Sequence, residues 1–134
     1  MTLFLFSLDA SGKGEFVSAG HNPAYLFRAA SGEIEELESQ GMILGAFPSA
    51  KYTSSPLQID PGDVLVVYSD GVTEAAGHDD EMFGEQRLLE LIRANASGGA
   101  SVLEGKILEE LERFTEGVDQ NDDITFLLIE NKRA

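Results

Sequence analysis

Five consecutive apolar residues, Val64 to Tyr68, stand between a Pro61-Gly62 turn and an Asp70-Gly71 pair. A short apolar run bounded by turn residues reads as a strand buried on both faces. Asp70 follows where that strand leaves the core, and Gly71 lets the backbone swing sharply or approach a ligand closely. An acid on the rim of a rigid strand is well placed to hold a cation, because packing fixes its position. Aspartate there is also a common way to start a turn.

A mirror-image layout lies near the other end of the chain. In Asn121-Asp122-Asp123-Ile124-Thr125-Phe126-Leu127-Leu128-Ile129 the acids come first and a buried strand follows. If the two strands are neighbours, Asp70 and either Asp122 or Asp123 converge on one point. Hard divalent cations prefer such oxygen ligands, and Mg²⁺ takes only one or two carboxylates while keeping several waters. The chain has no cysteine and no His-x-x-x-His spacing that would offer a softer site. Taken singly each acid reads as a turn or cap residue; taken together they make an oxygen-ligated metal competitive.

The 134 residues are enough for one domain, which buries roughly two-thirds of its unfolded surface. The net charge of −15 argues against nucleic acid, whose phosphates need Lys and Arg, and against anionic membranes. It suits a cation site or a docking face for a basic partner, and also a merely solvated acidic surface. Without cysteine there are no disulfides, so the redox compartment is left open. No apolar run approaches the roughly 20 residues that span a bilayer. The amino terminus lacks the basic start of a signal peptide. The expectation is a soluble, cytoplasmic protein.

Strands are expected at Leu3 to Phe6, Glu15 to Ala19, Ala24 to Arg28 and Ile34 to Leu37, joined by short turns as an antiparallel meander. Gly41 to Ser55 reads as an irregular connection that packs Met42, Ile43, Leu44 and Phe47 over the core. Beyond the polar stretch Ala75 to Asp80, Leu88, Leu91 and Ile92 form the stripe of an amphipathic helix. A second helix runs from Ser101 to Thr115, with Leu103, Ile107, Leu111 and Phe114 on one face and Gly117 as its stop. Strands, then two helices, then a strand is an α+β pattern without internal repeats.

With these pieces in place, a family resemblance emerges. Ala19-Gly20-His21-Asn22-Pro23, Leu44-Gly45, Pro61-Gly62-Asp63, Ser69-Asp70-Gly71-Val72-Thr73-Glu74-Ala75, Met82-Phe83-Gly84 and Asp122-Asp123-Ile124-Thr125 occur in this order. The chain resembles the bacterial serine phosphatases of the stage II sporulation protein E type, within the protein phosphatase 2C-like superfamily. Each fragment is weak alone; in register over nearly the whole chain they are specific. The resemblance implies an antiparallel β-sandwich flanked by helices, with a two-metal Mn²⁺ or Mg²⁺ centre at one edge. It further implies hydrolysis of phosphoserine or phosphothreonine on a regulatory protein, often the antagonist of an anti-sigma factor. Carried over by position, Asp70 is a ligand of one metal and Asp122 a ligand within the acid pair. Asp123 supports the shell from behind, and Gly71 lets the chain pass beside the metal. The implied chemistry is in-line attack of a metal-activated water on phosphorus, with no side chain of this chain as catalytic acid, base or nucleophile.

One departure matters. The family's bridging ligand lies in an amino-terminal Asp-Val-Ser-Gly-(His or Lys)-Gly motif that opens a helix. Asp9-Ala10-Ser11-Gly12-Lys13-Gly14 imitates it, but a strand and the next motif follow directly, so Asp9 reads as a hairpin-turn residue. The chain is therefore expected to be the carboxy-terminal portion of a phosphatase domain, incomplete at its amino terminus and weak or inactive alone. An exposed apolar sheet edge would then invite pairing with a second copy as a homodimer. His21 reads as a turn residue with a backbone hydrogen bond and His78 as solvated. The alternative to an enzyme is a degenerate, non-catalytic phosphatase domain that docks a regulator.

Overall fold

A computed structural model of the protein describes residues 1–38 and 41–132. Seven strands form two antiparallel sheets. The first has the order β1 (Leu3–Leu8), β2 (Lys13–Ala19), β5 (Ser55–Gln58). The second has the order β4 (Ile34–Leu37), β3 (Ala24–Phe27), β6 (Val64–Tyr68), β7 (Phe126–Glu130). A one-turn helix α1 (Asp70–Thr73) follows β6, and α2 (Gly84–Asn95) and α3 (Ala100–Phe114) precede β7. This is the sandwich flanked by helices that the resemblance implies.

The strand β6 explains the layering. Side chains alternate across a strand, so Leu65 and Val67, with Leu26 of β3 beside them, face the other sheet and pack with Phe16, Leu57 and Ile59. Val64, Val66 and Tyr68 face the opposite way onto Leu88 and Ile92 of α2 and Leu103, Ile107 and Leu111 of α3. The apolar stripes of both helices are thus used as read, with Leu91 and Phe114 at their margins.

The simple meander does not hold. β2 pairs with β1 and β5, while β3 pairs with β4 and β6, so the chain changes sheets at Gly20–Pro23. The reason lies in β3, whose residues Ala24 to Phe27 are all buried. Only a place between a second sheet and the helices covers both of its faces. The connection from Gly41 onward also departs from expectation. Met42, Ile43 and Phe47 are exposed rather than packed over the core, because strand side chains already fill the sandwich. This segment instead hydrogen-bonds the rim, with Leu44 N–H on Met1 C=O at 2.8 Å and Gly20 N–H on Gly41 C=O at 2.8 Å. The last strand begins at Phe126, two residues later than the apolar run, and is a sheet edge with Leu127 half exposed. With β6 on one side only, it cannot be buried like its neighbour.

The turn into β6 is held by a buried aspartate. Asp63 accepts hydrogen bonds from Arg28 Nη1 (2.7 Å), Ala29 N–H (2.9 Å) and Asp60 N–H (3.0 Å). Arg28 also donates to Gln58 C=O of β5 at 2.7 Å and forks onto Glu35 of β4. Glu35 and then Asp63 hold its guanidinium above the ordinary arginine range. The ion pairs stay within the second sheet, and the Arg28 hydrogen bond to Gln58 C=O links it to β5 of the first sheet at this end.

Candidate metal centre

At the opposite end of β6 the sequence Ser69-Asp70-Gly71 turns from strand into helix. Ser69 is doubly tied to Thr125. Its N–H donates to Thr125 C=O at 2.8 Å, and its Oγ accepts from Thr125 N–H at 3.1 Å. That places the exit of β6 beside the entry of β7. Gly71 is buried, and a Cβ built there would lie 1.9 Å from the Asp123 carbonyl oxygen. No larger residue fits without moving the backbone of one segment or the other. The absent side chain makes room for the acid pair's own main chain.

These contacts hold Asp70 on a rigid mount. Its carbonyl accepts from Glu74 N–H at 2.8 Å and Thr73 Oγ1 at 3.3 Å, closing one helical turn. Its carboxylate is exposed and makes no hydrogen bond or ion pair among the described residues. Among the described residues Asp122 Oδ1 accepts only the Asp123 N–H, at 2.8 Å, and its carbonyl accepts Gln120 Nε2 at 2.7 Å. The Asp123 carboxylate is likewise exposed and unbonded among the described residues. Oxygen donors left open to solvent, with no thiolate and no imidazole beside them, suit a hard cation such as Mn²⁺ or Mg²⁺. The donor set is partial. Among the described residues no three His, Asp or Glu side chains gather into a group that could hold a metal ion.

Two positions escaped the reading of the sequence. Asn22 Nδ2 donates to Tyr68 C=O at 3.1 Å, so the Gly20-His21-Asn22-Pro23 turn clasps the last residue of β6. Ser69 supplies the Thr125 clamp. Both sit inside quoted motifs, where Asn22 reads as punctuation and Ser69 as a strand end; only their distant partners reveal them. His21 behaves as read, donating from Nδ1 to Asn22 C=O at 2.8 Å, with its ring 5.9 Å from Phe4.

Asp9 also behaves as read. It sits in the β1–β2 hairpin, where its Oδ1 accepts from Ser11 Oγ (2.6 Å), Ser11 N–H (2.8 Å) and Lys13 N–H (3.1 Å). These bonds, the Ser11 hydroxyl foremost, hold its carboxyl below the usual range. All three donors are local, so this acid is occupied in shaping its own turn.

Beside the Asp70 turn opens a cavity of about 230 Å³, walled by Glu74, Ala75, Met82, Asp119, Asp122 and Ile124 among others.

Comparison with known proteins covers the same span. The family model of stage II sporulation protein E (SpoIIE) matches residues 1–132. Protein IcfG of Synechocystis is 38% identical over 129 residues, which are 96% of this chain and 20% of that protein. Phosphoserine phosphatase RsbU of Bacillus subtilis is 26% identical over 117 residues, 87% of this chain and 34% of that one. The solved phosphatase domain of the cell-fate determinant SpoIIE from Bacillus subtilis superposes with a TM-score of 0.73 at 18% identity, covering 99% of this chain and 57% of its own. At that identity the superposition speaks for the fold. The chain spans a fifth to a third of the two curated relatives.

Proposed function

Because the chain belongs to the stage II sporulation protein E (SpoIIE) family, we propose that it is the carboxy-terminal portion of a metal-dependent protein serine/threonine phosphatase domain. The observation that carries this reading is Asp70. It is an exposed, unbonded carboxylate fixed at the end of a buried strand, with Gly71 seated against the acid pair's main chain. Asp70 and Asp122 hold the cation; Asp123 backs them, and Gly71 keeps the two segments in contact. When bound there, Mn²⁺ or Mg²⁺ lowers the pKa of a bound water and neutralises charge on the phosphoryl oxygens. Asn22 and Ser69 keep the end of β6 from shifting, which holds the Asp70 carboxylate in place.

The substrate is a phosphorylated regulatory protein of the anti-sigma-antagonist kind, in a cytoplasmic signalling pathway. None of the described helices is long and apolar enough to cross a membrane. With the family's bridging acid outside these residues, the 134-residue chain by itself binds Mn²⁺ weakly and turns over little substrate. Among the described residues strand β1 has no neighbour on one edge, and it exposes Leu3 and Leu5, so a second copy can add along it. A strictly monomeric sedimentation profile would remove that dimer.

The test uses the full-length protein, a phosphoserine substrate and a Mn²⁺ titration. Asp70→Asn should lower turnover about 100-fold or more, since even residues behind the ligands cost 10–100-fold. Equal turnover by the variant would overturn the assignment of Asp70. Tight binding of a phosphoprotein with no turnover at saturating Mn²⁺ would identify the non-catalytic docking module instead.

A further inference from the structure

The cavity next to α1 borders the proposed cation site at Gly71 and Asp122, and we propose that the rest of it takes a lysine or arginine side chain flanking the phosphoserine of the substrate, an inference that rests on the phosphatase reading. Its volume is about 230 Å³. Small-molecule and cofactor sites run about 300–1,000 Å³, so this one suits a single extended side chain. Ala75 and Ile124 give it an apolar floor, and Met82, 60% exposed, stands at its lip. Glu74 and Asp119 supply carboxylates at the wall. A long apolar stem ending in a cation matches that combination, because lysine and arginine bury their methylenes while keeping the head on polar partners.

Charge narrows the choice further. No lysine or arginine is among the residues lining the cavity. A minority of the acids are paired with a basic side chain, as Glu35 and Asp63 with Arg28, Glu81 with Arg87, Glu109 with Lys106 and Glu110 with Arg113. Among the described residues Glu74, Asp119 and Asp122 have no such partner. A phosphate group placed here would face three carboxylates with no basic side chain to offset them. Asp122 belongs to the cation site, so the head group falls to Glu74 and Asp119.

Position in the substrate follows from α1. The Glu74 N–H on Asp70 C=O bond spans one helical turn, a rise of about 5–6 Å. An extended peptide advances about 3.3 Å per residue. The recognised side chain therefore lies one to three residues from the phosphoserine.

The experiment compares phosphoserine peptides carrying Lys, Arg, norleucine or Glu at each flanking position, with the full-length protein. Turnover is read as kcat/KM and binding by fluorescence anisotropy. We expect one position where Lys or Arg exceeds norleucine about fivefold, the size of one partly exposed charge pair, with Glu poorest. Asp119→Asn and Glu74→Gln should each flatten that preference, and Asp119→Lys should turn it toward Glu. Equal binding and equal kcat/KM for all four residues at every position would overturn the cavity assignment. Lysine-dependent binding that these variants abolish, without turnover of any peptide, would support the cavity and overturn the phosphatase reading.

Discussion

The two ends of β6 carry the same residue type in opposite circumstances. At the entry Asp63 is 2% exposed and bonded to three donors, one of them the Arg28 guanidinium. At the exit Asp70 is exposed, and its carboxylate has no partner among the described residues. The strand between them is buried at both ends, at Val64 and at Tyr68, so packing of the strand does not distinguish them. Chemistry does. A buried carboxylate must be paired, since leaving it alone costs several kcal/mol. A carboxylate left open on a rigid mount has its lone pairs free for something the chain does not supply. Asp63 fixes the turn into β6; Asp70 leaves its carboxylate to solvent.

The largest effect should come from breaking the entry. Asp63→Ala leaves Arg28 and two backbone N–H groups short of their acceptor, and should cost about 3–5 kcal/mol. Urea denaturation measures it, and a loss below about 1 kcal/mol would show that Asp63 is no more structural than Asp70. Gly71→Ala at the exit forces a Cβ against the Asp123 carbonyl oxygen. It should cost about 1–3 kcal/mol, as overpacking does, and it should loosen Mn²⁺ as well. A neutral Gly71→Ala would mean that the two acid-bearing segments are not in firm contact.

The middle of the comparison can be probed by pH. Tyr68 at the end of β6 and Tyr25 on β3 stack at 5.5 Å, and burial raises both phenols above their ordinary value. A raised folded-state pKa gives stability that is full below the unfolded value, about 10, and lost as pH rises above it. The loss should approach about 1.4 kcal/mol per pH unit for Tyr25. Denaturation curves from pH 8 to 11 would show it, and the Tyr25→Phe, Tyr68→Phe pair should flatten the slope. The smallest effect on stability belongs to Asp70→Asn, within about 0.5 kcal/mol as for an unpartnered surface group. A large destabilisation there would erase the distinction between the two ends.

Much of the fold was legible along the chain. Val64 to Tyr68, Ile34 to Leu37 and the stripes of both helices lie where periodicity places them, because alternation and helical repeat act over a few residues. Asp9 was legible for the same reason: its three donors lie within four positions. The sheet change at Gly20–Pro23 was not legible, since it depends on what must cover both faces of β3. Nor was the exposure of Met42, Ile43 and Phe47, which depends on whether the core is already full. At the candidate site the acids themselves could be read, but Asn22 and Ser69 could not, because the groups they hold belong to Tyr68 and Thr125.

By itself, then, the chain determined its strands, its helices, the family it belongs to and which aspartates deserve suspicion. Only the tertiary structure decided which of those aspartates are spent. Asp63 is satisfied by Arg28 and Asp9 by its own turn, while Asp70 is left open beside Asp123. The physical reason is range: turn chemistry and periodicity are local, whereas the partner that saturates a carboxylate can come from anywhere in the fold.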